Sequence, residues 1–272
     1  MYATDFEYDG QMLSDFGFMV VSIGGQSGVS MENKGAEISF LTSPMHAGKH
    51  FVPVGSKYEK CLETSFHICK DPEFFDKDKM EISTEEFRAL GRWLNRREFL
   101  WFHAIDLSNY GDALPWVRAS FTLARIDVSG TTYGIELHMT TDSPFCYGEE
   151  IVKQFIFTTG ALSKILIDEN DEIGETFPQM AITCGEAGTL VLCDDLTGCE
   201  CSIVNCVEGE TITFSGGTKI VSTSNVAHNI ADDFNYDFFC FGNTYGNSKN
   251  TITASMPCTV EIRYHPIYKD TL

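Results

Sequence analysis

Apolar and polar residues alternate over short windows along most of this chain, which is the period of a β-strand with one face on a core and the other toward water. Leu62-Glu63-Thr64-Ser65-Phe66-His67-Ile68 shows it plainly, with apolar or β-branched residues at every second place. Residues 117–127, 133–140, 151–158 and 260–264 repeat the pattern. Two turn signals join such runs into hairpins: Ser129-Gly130 between the strands around Ile126 and Tyr133, and Gly216-Gly217 between Thr211-Ile212-Thr213-Phe214 and Lys219-Ile220-Val221. One stretch keeps a helical period instead. Ser83 and Glu86 stand at capping-box spacing, and Phe87, Leu90 and Leu94 then recur on one face, which predicts a helix over residues 84–95. Arg92, Arg96 and Arg97 fall in or just past its last turn, where positive charge suits the carbonyl end of the helix dipole.

Three segments lack a period. Ile23-Gly24-Gly25-Gln26-Ser27-Gly28 reads as a flexible turn, because no helix pattern or Walker-type Gly-Lys-Ser follows it. Residues 42–56, with Pro44, Gly48, Pro53 and Gly55, read as a structureless arm, since a segment that long in a compact domain is usually functional or disordered. Thr141-Asp142-Ser143-Pro144-Phe145-Cys146-Tyr147-Gly148 reads as a junction. It divides the 272 residues into domains 1–148 and 149–272 of ordinary size. The fold class is mainly β (α+β) with one clear helix, and no repeat recurs at a fixed period. No apolar run approaches the ~18–20 residues of a spanning helix, so membrane insertion is not expected.

Charge narrows the partners. The net charge is −20, from 13 basic against 23 acidic residues up to position 150 and 6 against 16 after it. Both halves are acidic, which argues against holding nucleic acid by its phosphates or adhering to an anionic membrane. The first ten residues carry Asp5, Glu7 and Asp9 and no basic side chain, so a cleaved secretory signal is not expected. The ten cysteines are then read as reduced thiols that act as small hydrophobes. Cys193, Cys199, Cys201 and Cys206 are the sharpest candidates for a metal, but their spacing lacks the two close pairs of a structural zinc site.

Other candidate chemistry also has a plain reading beside it. Asp168-Glu169-Asn170-Asp171-Glu172 lacks the Gly and Glu that an EF-hand needs at its sixth and twelfth places, and reads as a solvated acidic turn. His67, His103 and His138 fall in strand patterns, and no H-E-x-x-H or G-x-S-x-G is present. Glu149-Glu150 and Asp232-Asp233 are adjacent pairs, which on a strand would point to opposite faces. A strand carrying Phe234, Tyr236 and Phe238 on one face would serve as core packing or as a sugar-stacking platform. No catalytic, cofactor-binding or metal residue is assigned.

Phe6-Glu7-Tyr8-Asp9-Gly10 followed by Leu13-Ser14-Asp15-Phe16-Gly17-Phe18 resembles the start of the distal tail proteins of long, non-contractile-tailed bacteriophages. The same order of pieces continues through the arm at 42–56, the helix at 84–95, the strand pair around 116–140 and the junction ending at Gly148. In the second half, Ile173-Gly174, Gly209-Glu210-Thr211-Ile212-Thr213, Asp233-Phe234-Asn235-Tyr236 and Ile262-Arg263-Tyr264-His265-Pro266-Ile267 are similar to that family as well. The resemblance implies an N-terminal ring domain, a split β-barrel with one helix, followed by a galectin-like β-sandwich. It also implies a structural virion protein made in the host cytoplasm: a homohexamer at the distal end of the tail, joining the tail tube to baseplate, tail-fibre or receptor-binding proteins. Genome DNA would pass through its lumen without specific binding. No catalysis and no cofactor is implied. The reading that competes with it is a lectin-like module that recognises surface glycans through the aromatics around Tyr236, and a metal or thiol enzyme comes third.

Overall fold

The computed structural model describes residues 3–21, 36–45, 48–58, 60–105 and 115–269. The Gly24 to Gly28 turn lies outside them. Two compact units divide the chain, Met1–Tyr147 and Gly148–Tyr268.

The first unit contains β1 (Asp5–Tyr8), β2 (Gln11–Met12), β3 (Phe18–Val21), β4 (Glu37–Met45), β5 (Gly48–Lys57), β6 (Glu63–Lys70), α1 (Thr84–Leu94), β7 (Leu100–Ile105), β8 (Val117–Val128), β9 (Thr131–Thr141) and β10 (Cys146–Tyr147). Seven strands form one sheet in the order β2-β1-β7-β8-β9-β6-β3. The sheet curls until Val20 N–H donates to the Thr4 carbonyl at 3.0 Å, bringing β3 to the start of β1 without a closing ladder. This is a split barrel. The β8–β9 turn works as its sequence signals, because Ser129 and Gly130 both take positive φ, 54° and 86°, the twist a two-residue hairpin requires.

Alternation along the strands fills the barrel with aromatic rings. Phe6 lies 5.3 Å from Phe102 and 5.8 Å from Phe66, all three buried. Helix α1 covers one side of this core. Its capping box is formed in both directions between Ser83 and Glu86, as its spacing predicts. Leu90, Trp93 and Leu94 are its buried face, and Phe87 is half-buried under the Arg125 guanidinium. Trp93 stacks on Phe6 at 5.8 Å and donates its indole N–H to the Tyr8 carbonyl at 3.1 Å, so its one polar group is met inside the core.

The second unit contains β11 (Ile151–Phe157), β12 (Ser163–Ile167), β13 (Gly174–Thr176), β14 (Gln179–Cys184), β15 (Gly188–Asp194), β16 (Glu200–Cys206), β17 (Thr211–Ser215), β18 (Ile220–Thr223), α2 (Ile230–Asp233), β19 (Phe241–Asn243), β20 (Lys249–Ala254), β21 (Cys258–Tyr264) and β22 (Ile267–Tyr268). One sheet runs β11-β21-β14-β17-β18, a second β12-β20-β15-β16, and β13 pairs with β19. Met180 and Ile182 on β14 and Val260 and Ile262 on β21 share a core with Leu190 and Leu192 on β15 and Ile252 on β20. Residues of both sheets thus bury one layer, the arrangement of a β-sandwich, and each such side chain contributes about 1.5–3 kcal/mol.

Gly216 explains the second predicted hairpin. A Cβ there would sit 2.0 Å from the Phe177 carbonyl oxygen, so only glycine lets the β17–β18 turn lie against that backbone. Among the described residues no helix is long and apolar enough to cross a membrane.

Candidate functional site

The arm predicted to lack structure is a β-hairpin. Strands β4 and β5 pair antiparallel from Glu37 opposite Lys57 to Met45 opposite Gly48, with a bulge beside Phe40. Register and alternation put Ile38, Phe40 and Phe51 on one face and Leu41 and Val52 on the other. Phe40 and Phe51 touch across the strands, ring centres 6.1 Å apart. Phe40 is nevertheless 50% exposed, Leu41 64% and Phe51 58%. A two-stranded hairpin alone in water is marginal, and this one shows apolar side chains on both faces with nothing of its own unit over them. Its irregular sequence hid it: Pro44, Pro53 and the bulge break the alternation, and neither face is buried enough to impose one.

The stripe Phe234, Tyr236, Phe238 is not a strand. Phe234 is buried in the sandwich core, while Tyr236 takes a left-handed φ of 63° and is 63% exposed. Asn235 sets this course. Its side chain accepts from Ser202 N–H at 3.1 Å and donates to the Glu200 carbonyl at 3.0 Å, and its own N–H donates to the Ser202 carbonyl. One side chain thereby pairs the edge of β16 as a neighbouring strand would. Tyr236 and Phe238 line an open cleft of about 680 Å³ together with Phe177, Lys219, Cys199 and Cys240.

The acidic turn is less solvated than its sequence implies. Asp168 is buried, and burial pushes its carboxyl above the usual range although Asn170 hydrogen-bonds to it. Asn170 holds the turn together: its side chain donates to Asp168 Oδ1 at 2.6 Å and Thr176 Oγ1 at 2.8 Å, and accepts from Ile267 N–H at 2.6 Å.

The four clustered cysteines part company. Cys199 contacts Cys240, Cys206 contacts Cys184, Cys201 is buried on β16, and Cys193 is half-buried on β15. Among the described residues no three His, Cys, Asp or Glu side chains gather into a metal-holding group. Of the arginines, Arg92 lies in the last turn of α1, and Arg96 meets the helix end directly: its Nε donates to the Trp93 carbonyl at 3.2 Å, and its guanidinium lies 3.7 Å from Asp9 Oδ2. His67 is buried in β6, His103 packs at a tilt against Trp116 with ring centres 4.4 Å apart, and His138 hydrogen-bonds Ser65 at 2.6 Å. Glu150 lies 3.7 Å from Arg263.

One constellation carries no sequence motif. His228 Nδ1 lies 2.5 Å from Glu210 Oε1, and its Nε2 lies at an ion-pair distance of 3.2 Å from Asp233 Oδ2 without hydrogen-bond geometry. Thr223 Oγ1 also donates to Glu210, and Val207 N–H donates to its other oxygen at 3.0 Å. Asp232, by contrast, accepts from Asn229 at 2.6 Å; the adjacent acids lie in the helical turn α2, so the opposite faces of a strand do not apply to them. Burial pushes the Glu210 carboxyl up, but its hydrogen bonds from Thr223, His228 and Val207 win and hold it below the usual range. Burial likewise works against the imidazolium, and Glu210 overcomes it, so the His228 pKa is raised. Both His228 and Glu210 are buried, so the group braces the sandwich rather than facing a substrate.

Comparison with known proteins matches these units to phage tails. A family model described as phage tail protein N-terminal domain matches residues 1–143, and one described as phage tail C-terminal domain matches residues 145–264. No curated protein sequence gives a significant match. Among solved structures, the chain is similar to the Dit protein of phage SPP1, described as a paradigm of the hub adsorption apparatus in phages that infect Gram-positive bacteria. The TM-score is 0.62 at 15% identity, over 96% of this chain and 98% of that one, a likeness of fold. The resemblance read from the residues and the family match agree: this chain belongs to the phage tail protein family and carries its N-terminal and C-terminal domains in order.

Proposed function

We propose that the protein is a structural hub at the distal end of the tail, a homohexameric ring joining the tail tube to baseplate, tail-fibre or receptor-binding proteins. The observation that carries this reading is the β4–β5 hairpin, which exposes Phe40, Leu41, Phe51 and Val52 and finds no cover within its unit. A neighbouring copy is the cover that fits, because a head-to-tail contact that closes on itself makes a ring. Similarity of fold to SPP1 Dit supports the same role. The acidic composition suits a lumen through which DNA passes without sticking, an effect screened beyond about 8–10 Å at ordinary salt. The role is structural rather than catalytic.

The test is a Leu41→Lys, Val52→Glu variant, which makes the face polar while setting opposite charges against each other across the paired strands. Both positions are solvent-exposed, so the circular dichroism spectrum and the melting of the two units stay as in the wild type while the ring falls to single chains. A variant that assembles as well as the wild type contradicts the role given to the hairpin.

A second reading rests on Tyr236, an exposed aromatic ring on a left-handed backbone at the rim of the 680 Å³ cleft. In that reading the sandwich holds a host glycan by ring stacking. Glycan-array binding that Tyr236→Ala abolishes supports it, and an array without specific binding removes it.

A further inference from the structure

We propose that Cys199 and Cys240 form a cleft-lining redox dithiol that closes to a disulfide when the protein meets a small disulfide oxidant. Cys199 lies in the turn before β16, and its side chain inserts into the segment that leads into β19. There Cys240 N–H donates to Cys199 Sγ at 3.2 Å, and Cys199 Sγ is 3.4 Å from the Phe238 carbonyl oxygen. The two thiols are near enough to shift each other's titration.

The surroundings favour reaction at Cys199. Both sulfur-bearing residues line the open 680 Å³ cleft, Cys199 half-buried and Cys240 nearly covered, so an incoming disulfide meets Cys199 first. The Lys219 ammonium, held over the Phe177 and Phe238 rings, adds positive charge toward both thiols. The neighbouring Cys240 thiol, partly opposed by burial, holds the Cys199 pKa below its ordinary value, with the Cys240 N–H adding to the effect. A partly exposed cysteine beside a cation is where thiolate chemistry concentrates. The pair Cys184 and Cys206 is also in contact, yet both residues are buried in the sandwich core, and this gives an internal contrast.

The chemistry is an ordinary exchange. The Cys199 thiolate attacks one sulfur of the oxidant, whose S–S bond breaks and releases one thiolate. The Cys240 thiol then gives its proton to water, attacks Cys199 Sγ and expels the second thiolate. Two electrons leave the dithiol, and the oxidant departs as two thiols. The new bond ties the turn before β16 to the segment before β19, residues 41 apart in sequence, and so restricts the unfolded chain. The occasion for closure, release of a tail from a reducing cell into an oxidising medium, rests on the tail reading, whereas the chemistry does not.

The experiment uses the full chain, reduced, desalted and incubated with oxidised glutathione. Peptide mapping should then find Cys199 linked to Cys240, two of the ten thiols lost, and Cys184 and Cys206 still free to alkylate after denaturation. The melting temperature should rise and return with dithiothreitol. Cys240→Ser should stop at a glutathione adduct on Cys199, and if that variant does not fold, the wild-type peptide map decides alone. The proposal is overturned if Cys199 and Cys240 both remain free, or if Cys184 and Cys206 link in their place. A linked pair in a single chain would leave it standing without the ring, and a ring with both thiols free would remove it without touching the tail reading.

Discussion

Lys70 Nζ lies 2.8 Å from Glu86 Oε1, and the lysine side chain is 5% exposed. The ammonium also donates to the Glu81 carbonyl at 2.7 Å and the Lys79 carbonyl at 3.1 Å, so a buried charge at the end of β6 is met on several sides. Glu86 belongs at the same time to the α1 capping box, and the pair therefore ties the helix N-terminus to the barrel strand.

Lys70→Met keeps the aliphatic stem and removes the charge, leaving Glu86 without its partner and two carbonyls without a donor. The expected loss is about 2–4 kcal/mol, the range for breaking a buried charge-assisted contact, seen in urea unfolding of the first unit. A loss within the ~0.5 kcal/mol of an ordinary surface change would contradict this account.

Acid should weaken the same contact. Burial raises the Glu86 pKa, but hydrogen bonds from Lys70 and Ser83 outweigh it and the folded value lies below normal. The contribution is present above the unfolded carboxyl value of about 4.3 and disappears as pH falls through the folded one. Lys70→Met should therefore flatten the acid limb of the stability profile, and an unchanged limb would count against the pair.

In the second unit the sign runs both ways. His228 has a raised pKa, so its contribution is complete below the unfolded histidine value of about 6.5 and fades as pH rises through the folded value. Glu210 has a lowered one, so its share is present above about 4.3 and fades in acid. His228→Asn should lower the melting temperature of the sandwich near pH 6 and remove the decline on the alkaline side. A variant that keeps the wild-type alkaline slope would show that another group causes it.

Gly216→Ala places a methyl group on the Phe177 carbonyl oxygen, where the backbone has no space for it. Overpacking of this kind costs about 1–3 kcal/mol, and hydrogen exchange should show early opening of the β17–β18 hairpin. Gly217→Ala is the control, because nothing lies within 4 Å of a Cβ there.

Much of the fold was legible where local chemistry and tertiary burial agree. Ser83 and Glu86 marked the helix start, Ser129-Gly130 marked a hairpin, and the alternation in residues 258–264 follows the buried Cys258, Val260, Ile262 and Tyr264. It failed where partners are distant or missing. The hairpin at 37–57 has no buried face to enforce a period, and the Phe234 stripe is bent by Asn235 pairing with β16. Glu210 and His228 stand 18 residues apart and meet only because β17 and β18 return the chain beside itself. The Cys199 and Cys240 contact needed the folded sandwich for the same reason.

The central claim is assembly into a ring, and the most direct measurement is the native mass by light scattering on a sizing column across protein concentration and salt. The account predicts a species of about 182 kDa, six chains of 30.4 kDa, ring-shaped in negative stain. A single chain of 30.4 kDa under every condition would contradict it.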